Sequence, residues 1–190
     1  MYSTRPFHDL LTNKKELVFI HTPKCAGTYV SSILSQLNIK NNRHNQATPN
    51  DNCIYFTVIR NPVERFESML NYRLGLPPKN DWPTHLLYVY DDTTIQLDEI
   101  VSKMSDTEMI SFSCYNTLQY WTTNVDIIIT LDHLPKLLEY FGYSYDIHSF
   151  STKNVSTKLR GKLNQENKDR IKKMFKDDVE LYNKILNSVF

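Results

Sequence analysis

Three short runs, apolar or β-branched throughout apart from His21 in the first and Asp126 in the third, constrain the fold more than any other feature of this 190-residue chain. They cover residues 17–21, 54–59 and 125–131. Unbroken runs of this length, without apolar–polar alternation, are typical of strands covered on both faces, as in a parallel sheet. Helical patterns lie between and after them, at about 29–37, 62–74, 94–103, 134–141 and 165–187. The sequence therefore predicts an α/β fold with a central, mostly parallel sheet flanked by helices.

The domain organisation is predicted to be simple. No repeat, low-complexity run or Gly/Ser linker divides the chain, so we expect one domain over 1–190, with 1–16 as an N-terminal extension and 165–187 as a C-terminal helix. A chain of this length can bury one sizeable core. Residues 1–16 lack the apolar segment of a signal peptide, and no run of 18 apolar residues occurs. These features favour a cytoplasmic protein without a membrane span.

The charge, the glycine spacing and the cysteine content argue against several classes of protein and of binding site. The formal net charge is +1, so a general nucleic-acid-binding field is excluded and any anion site must be local. The four glycines are too far apart for a G-x-G-x-x-G loop. The three cysteines form no C-x-x-C pair, which favours reduced thiols over disulfides or zinc. The aspartate pairs at 91–92 and 177–178 lack flanking ligands, so no metal is expected.

The residues after the first run form a turn of the kind that binds phosphate. They read Thr22-Pro23-Lys24-Cys25-Ala26-Gly27-Thr28 and precede a helical stretch. Backbone N–H groups at a helix N-terminus favour an anion, Lys24 adds a full charge, and Thr28 can donate a hydroxyl hydrogen bond. Lys24 precedes Thr28 by four positions, so this is not a Walker A loop. The alternative is an ordinary βα turn in which Thr28 caps the helix.

The second run leads into a strong helix start. Asn61 can cap the helix, and Pro62 and Glu64 suit its first turn. Helical spacing predicts an apolar stripe of Val63, Phe66, Leu70 and Leu74 opposite a polar face of Asn61, Glu64, Arg65, Ser68 and Tyr72. Arg60 and Ser68 can then converge on one anion. The alternative is that Arg60 pairs with a carboxylate and Ser68 is merely solvated.

Together, the two segments resemble the nucleotide-binding motifs of the sulfotransferase superfamily. Residues 19–28 resemble its 5′-phosphosulfate-binding loop, and residues 56–68 resemble its 3′-phosphate-binding strand and helix, with Arg60 and Ser68 eight positions apart. The chain most resembles the carbohydrate branch, the heparan and chondroitin type with its small microbial and viral members. The later segments 119–121, 125–134, 154–156 and 178–182 fit further motifs of that branch.

This resemblance implies a three-layer, P-loop-like fold and the donor 3′-phosphoadenosine 5′-phosphosulfate (PAPS), with no metal. It implies that the 5′-phosphosulfate is bound by Pro23, Lys24, Cys25, Ala26, Gly27, Thr28 and Tyr29, and the 3′-phosphate by Arg60 and Ser68. Lys24 would also act in catalysis, by neutralising the phosphate oxygen that is expelled.

The acceptor hydroxyl must lose a proton, which requires a general base. In the resembling branch a histidine between the first helix and the second strand has this role, which points to His44. His85 and Glu67 are the reserve candidates, and the alternative for His44 is an ordinary surface position. His21 is expected to pack against the turn or to orient it.

Few features of the sequence indicate which acceptor is used. We expect a hydroxyl, of a carbohydrate by the resemblance, with specificity in residues 75–113 and in a basic turn of Lys153, Lys158, Arg160 and Lys162 around Gly161. That turn can equally be solvated. Two other classes stay open: a P-loop-type nucleotide or small-molecule kinase, disfavoured by the missing Gly-Lys-Ser/Thr triplet, and a non-catalytic nucleotide-binding module.

Overall fold

The computed structural model describes residues 2–3, 15–77, 86, 92, 94–113, 116–144 and 161–188. In these ranges the strands are β1 (Tyr2–Ser3), β2 (Glu16–Ile20), β3 (Lys40–Asn41), β4 (Cys53–Ile59) and β5 (Ile127–Thr130). The helices are α1 (Gly27–Gln36), α2 (Pro62–Leu74), α3 (Leu97–Lys103), α4 (Asp106–Ser113), α5 (Leu118–Thr122), α6 (Leu134–Tyr140), α7 (Gln165–Met174) and α8 (Lys176–Leu186). A 3₁₀ turn, Leu131–His133, precedes α6.

The strands form one sheet in the order β1-β5-β4-β2-β3. Parallel pairing joins β3, β2, β4 and β5, so the predicted α/β fold with a mostly parallel sheet is confirmed. Only β1 is antiparallel, with Tyr2 opposite Ile128. Residues 1–16 were expected to be an extension, yet they supply this edge strand and the first residue of β2. A two-residue strand is too short to show a period, which explains why the pattern missed it.

The apolar runs are unbroken because the sheet is covered on both faces. Along β2, Leu17 and Phe19 belong to the core on one face, where they pack with residues of α1 and α6. The alternate residues Val18 and Ile20 belong to the core on the other face, with residues of α5 and α8. Side chains alternate along a strand, so a strand with two buried faces needs apolar residues at every position.

The described chain divides into two compact units. The first contains the sheet, with residues up to Arg60, 116–144 and those from Asp177 onward. The second contains residues 61–113 and 161–176, and therefore α2, α3, α4 and α7. Its apolar core is lined by α2, α3 and α7 side chains. Arg170 of α7 donates to the Val101 and Met104 carbonyl oxygens at 3.1 and 2.6 Å, at the end of α3.

Helix bounds agree with the sequence in part. The helix predicted at 62–74 is confirmed as α2, whereas α1 begins at Gly27, two residues before the predicted start. The predicted helix over 165–187 is wrong as one helix, because Phe175 separates α7 from α8. Phe175 packs on the core of the second unit, while Ile185 of α8 belongs to a core of the first. No helix in the described ranges is long and apolar enough to cross a membrane.

Candidate functional site

The turn after β2 has an unusual backbone. Lys24 and Ala26 both adopt left-handed conformations, with φ of 63° and 60°. The Cys25 amide donates to the Thr22 carbonyl at 3.3 Å, and the first bond of α1 runs from Val30 N to the Ala26 carbonyl at 3.0 Å. A left-handed conformation costs a non-glycine residue roughly 1–3 kcal/mol, and such residues cluster at ligand-binding sites. The turn is therefore held by its surroundings and not by local preference.

Two buried hydroxyl groups provide part of that support. The Thr57 hydroxyl in β4 donates to the Ile20 carbonyl at 2.7 Å and lies 2.8 Å from the Thr22 hydroxyl. Because Thr57 has a single hydroxyl proton, Thr22 must be the donor of that second bond. Both threonines are fully buried. This pair ties the start of the turn to the neighbouring strand.

Several side chains of the turn are buried or partly buried. Pro23 is buried, and Cys25 belongs to the core that contains Trp121. Tyr29 is partly buried against the opposite core. Thr28 is exposed, and no side chain caps α1, so the alternative in which Thr28 caps the helix is wrong. The N-cap is Ala26.

The first-turn amides of α1 precede the first intrahelical donor, the Val30 amide, so helix geometry gives them no intrahelical partner and leaves them available to an anion. They belong to Gly27, Thr28 and Tyr29. Gly27 is required here for a steric reason, because a Cβ atom at this position would overlap the His21 imidazole. The absence of that one carbon lets the histidine ring lie directly against the start of the helix.

The charged groups at this end of the sheet repel one another. Burial, and then the positive charge of Arg60, lower the pKa of Lys24 below its usual value. The pKa of His21 falls from 6.5 to about 4, first because of burial and then because of His44 and Lys24. Lys24 and Arg60 follow neighbouring strands, and the charge of Arg60 bears on Lys24. That they bind one donor together stays a prediction.

His44 lies on the segment between β3 and β4 and is exposed. Its Nδ1 is 3.3 Å from the His21 carbonyl oxygen, and its ring lies 4.3 Å from that of His21. The Trp121 ring lies edge-on to the His44 ring, with 6.5 Å between the ring centroids. Gln46 Nε2 donates to the Tyr120 carbonyl at 2.8 Å, which anchors the same segment to α5. His44 therefore lies beside His21, the residue before the turn, and its role as the base stays a prediction.

The exit of β4 has the predicted local structure. The Asn61 side chain accepts hydrogen bonds from the Val63 and Glu64 amides at 3.0 and 3.5 Å, and Pro62 occupies the first helical position. Along α2, however, Arg65 is buried, so its predicted position on a polar face is wrong. Its exposed fraction is only 8% because the second unit packs more than one stripe of α2.

Ser68 and Glu67 are both partly buried and belong to the second unit. The pairing of Ser68 with Arg60 therefore stays a prediction. The Glu67 carboxylate accepts the Leu163 amide at 3.4 Å, and its backbone carbonyl accepts from Asn71 at 2.9 Å. This anchoring role favours His44 over Glu67 as the base.

Several predicted residues lie outside the described part of the chain. They are His85, Lys153, Lys158 and Arg160. Lys162 is described and exposed, and its neighbour Gly161 has a φ of 74°. Within the described ranges, no three His, Cys, Asp or Glu side chains are grouped closely enough to hold a metal ion.

Sequence reasoning gave no individual role to three residues that contact the turn or His44. Thr22 and Thr57 differ in no visible way from other turn and strand threonines, and Trp121 belongs to a segment that is only five residues long as a helix. The signal for His21 was its place immediately before the turn, which led to the expectation that it packs or orients there. The contacts of the His21 ring with Gly27 and with His44 agree with that expectation.

Comparison with known proteins adds no relative. No family model, curated protein or solved structure matches this chain.

Proposed function

We propose that this chain is a PAPS-dependent sulfotransferase that transfers a sulfuryl group to a hydroxyl of a carbohydrate. The observation that carries the proposal is that Lys24, Arg60 and His44 follow the parallel strands β2, β4 and β3 at the carboxyl edge of the sheet, with the His44 ring against His21. Ligands bind at this edge of parallel sheets. One cation after each of two neighbouring strands, the first of them in the turn before α1, suits a donor with phosphate groups at both ends of its ribose.

In this function the turn and Lys24 bind the 5′-phosphosulfate. Amides of Gly27 and Thr28, the Thr28 hydroxyl and the Lys24 ammonium donate to its oxygens, while Arg60, with Ser68, binds the 3′-phosphate. The acceptor oxygen forms the new bond to sulfur as the bond from sulfur to the phosphate oxygen breaks. Lys24 then stabilises the negative charge that develops on the expelled oxygen.

His44 takes the proton that the acceptor hydroxyl loses. The products are a sulfate ester, the adenosine bisphosphate and a protonated imidazole, which returns its proton to solvent. A positioned base contributes about 10²–10⁴-fold to the rate. His44 suits this role because it is exposed to an incoming acceptor and yet is held by His21 and Trp121.

The test is transfer from radiolabelled PAPS to a mixture of glycan acceptors. We expect Lys24→Ala and Arg60→Ala each to lower transfer by at least about 100-fold, as loss of a charge-stabilising donor does elsewhere. Lys40→Ala is the matched control, since Lys40 is exposed on the edge strand β3 and forms an ion pair with Glu16 at 3.6 Å. Undiminished transfer by both Lys24→Ala and Arg60→Ala would refute the proposal.

His44→Ala separates binding from chemistry. We expect turnover to fall by about 100-fold or more while the dissociation constant of adenosine 3′,5′-bisphosphate changes little. Calorimetric titration with the bisphosphate and with magnesium-ATP discriminates between the alternatives. Magnesium-dependent ATP binding without bisphosphate binding would favour a kinase, and bisphosphate binding without any modified acceptor would favour a non-catalytic module.

A further inference from the structure

The general base proposed above is linked to the donor-binding turn through a single residue, His21. One atom of His21, its carbonyl oxygen, lies 3.3 Å from His44 Nδ1. A carbonyl oxygen can only accept a hydrogen bond, so this contact requires the proton on Nδ1. In the neutral imidazole the other nitrogen, Nε2, is then unprotonated. The partner of one ring nitrogen thus decides which nitrogen can act as the base.

The ring of His21 makes the second contact. It is confined on one side by Gly27, where not even a Cβ atom would fit, and it faces the His44 ring at 4.3 Å with an interplanar angle of 40°. It also stacks on Phe19 at 6.0 Å. With Phe19 fully buried, the His21 ring has a rigid support. The His21 ring therefore lies between the start of α1 and the His44 ring.

From these contacts we infer that His21 is a positioning residue for His44, its carbonyl fixing the Nδ1–H tautomer, which leaves Nε2 to take the proton, and its ring supporting the imidazole. The inference rests on the proposed function, in which His44 is the base. It assigns His21 no contact with donor or acceptor. The His21 ring acts through packing and not through charge, so a neutral ring of similar size should perform the same role.

The first test is spectroscopic and needs no substrate. Nitrogen-15 NMR of the histidine-labelled protein near pH 7.5 should show His44 with a protonated Nδ1 and an unprotonated Nε2. His21→Phe should retain this tautomer, because the backbone carbonyl and the ring packing both remain. In His21→Ala the two nitrogen shifts should move toward each other as the ring loses its support. A wild-type His44 with the proton on Nε2 would overturn the inference.

The second test is kinetic. We expect His21→Ala to lower kcat by about 10–100-fold, the scale of a misplaced catalytic group, with the bisphosphate dissociation constant changed less than about threefold. His21→Phe should restore kcat to within about threefold of wild type. If His21→Phe is as slow as His21→Ala, or if His21→Ala is fully active, the positioning role is wrong. A protein that binds no bisphosphate and transfers no sulfuryl group would refute the proposed function instead, and the NMR result would still decide the tautomer.

Discussion

The exits of β2 and β4 lie side by side in the sheet but are built in opposite ways. After β4, Asn61 caps α2 with its own side chain, and Pro62 occupies the first helical position. After β2, α1 begins without a side-chain cap, and two residues before it, Lys24 and Ala26, are left-handed. The first exit is stabilised locally, whereas the second depends on neighbours that come from elsewhere in the chain.

The difference shows which exit is specialised. A self-sufficient helix start needs only short-range contacts, and it can be transferred between proteins without losing its shape. The turn after β2 is held by Thr57 from the next strand and by the ring of His21. Backbone strain of this kind persists only where the surroundings enforce it, and it is common at binding sites. Substitutions should therefore damage the two exits to different degrees.

The largest effect is expected for Gly27→Ala. The new methyl group would overlap the His21 ring, so either the ring or the helix start must move. Overpacking of this kind costs about 1–3 kcal/mol, and we also expect a marked loss of transfer as His44 shifts. Urea unfolding and the transfer assay measure the two effects.

Gly75→Ala is the matched glycine control. Gly75 ends α2 with a φ of −86°, and a Cβ there would make only ordinary contacts, the nearest at 3.4 Å. We expect its unfolding free energy to change by less than about 0.5 kcal/mol. Equal destabilisation by the two substitutions would mean that the contact between Gly27 and His21 has no special cost.

The next effect concerns the threonine pair. Thr57→Val keeps the shape of the side chain but leaves the buried Thr22 hydroxyl without its acceptor, which should cost about 1–3 kcal/mol. Because replacing both partners can be nearly neutral, the double variant Thr22→Val with Thr57→Val should be more stable than the sum of the single effects predicts. The four proteins of this double-mutant cycle are compared by urea unfolding. Strict additivity would show that the two hydroxyls are not coupled.

A smaller effect is expected at the caps. Asn61→Ala removes the side chain that accepts hydrogen bonds from the Val63 and Glu64 amides, so it should lower the unfolding free energy by about 1 kcal/mol. Asn61→Asp keeps an acceptor at this position and should retain most of the capping stabilisation. Thr28→Ala should change the unfolding free energy by less than about 0.5 kcal/mol, since Thr28 does not cap α1. If both alanine variants are destabilised equally, the two exits do not differ in the way described.

The same comparison explains how much the sequence could reveal. The sheet, the bounds of α2 and its cap follow from residues close together in the chain, and they were predicted correctly. The left-handed Lys24 and Ala26 were not predicted, because neither residue type favours that conformation and the Thr22–Thr57 hydrogen bond that ties the turn to β4 joins residues 35 positions apart. Which residues form each unit was also not evident from the sequence. Residues 161–176 belong to the same unit as α2, although the two segments are far apart in the chain.

The smallest effect is a pH dependence carried by His21. The groups whose charges bear on its ring are His44 and Lys24, and burial is the larger influence on its pKa of about 4. The unfolded chain protonates this histidine near pH 6.5, so between pH 6.5 and about 4 the unfolded state binds more protons. The unfolding free energy should therefore fall as the pH drops through that window, modestly because the ring is only partly buried and water screens it.

His21→Phe isolates this contribution. It removes the titrating group but keeps a ring against Gly27 and His44, so the acid-induced loss of stability should become smaller than in wild type over the same range. Urea unfolding at half-unit steps from pH 7 to pH 4 provides the comparison. Because a bound polyanion would favour the charged imidazole, bisphosphate should also flatten the wild-type curve and leave the slope of the phenylalanine variant nearly unchanged. Parallel curves for the two proteins without ligand would show that His21 is not desolvated at the start of α1.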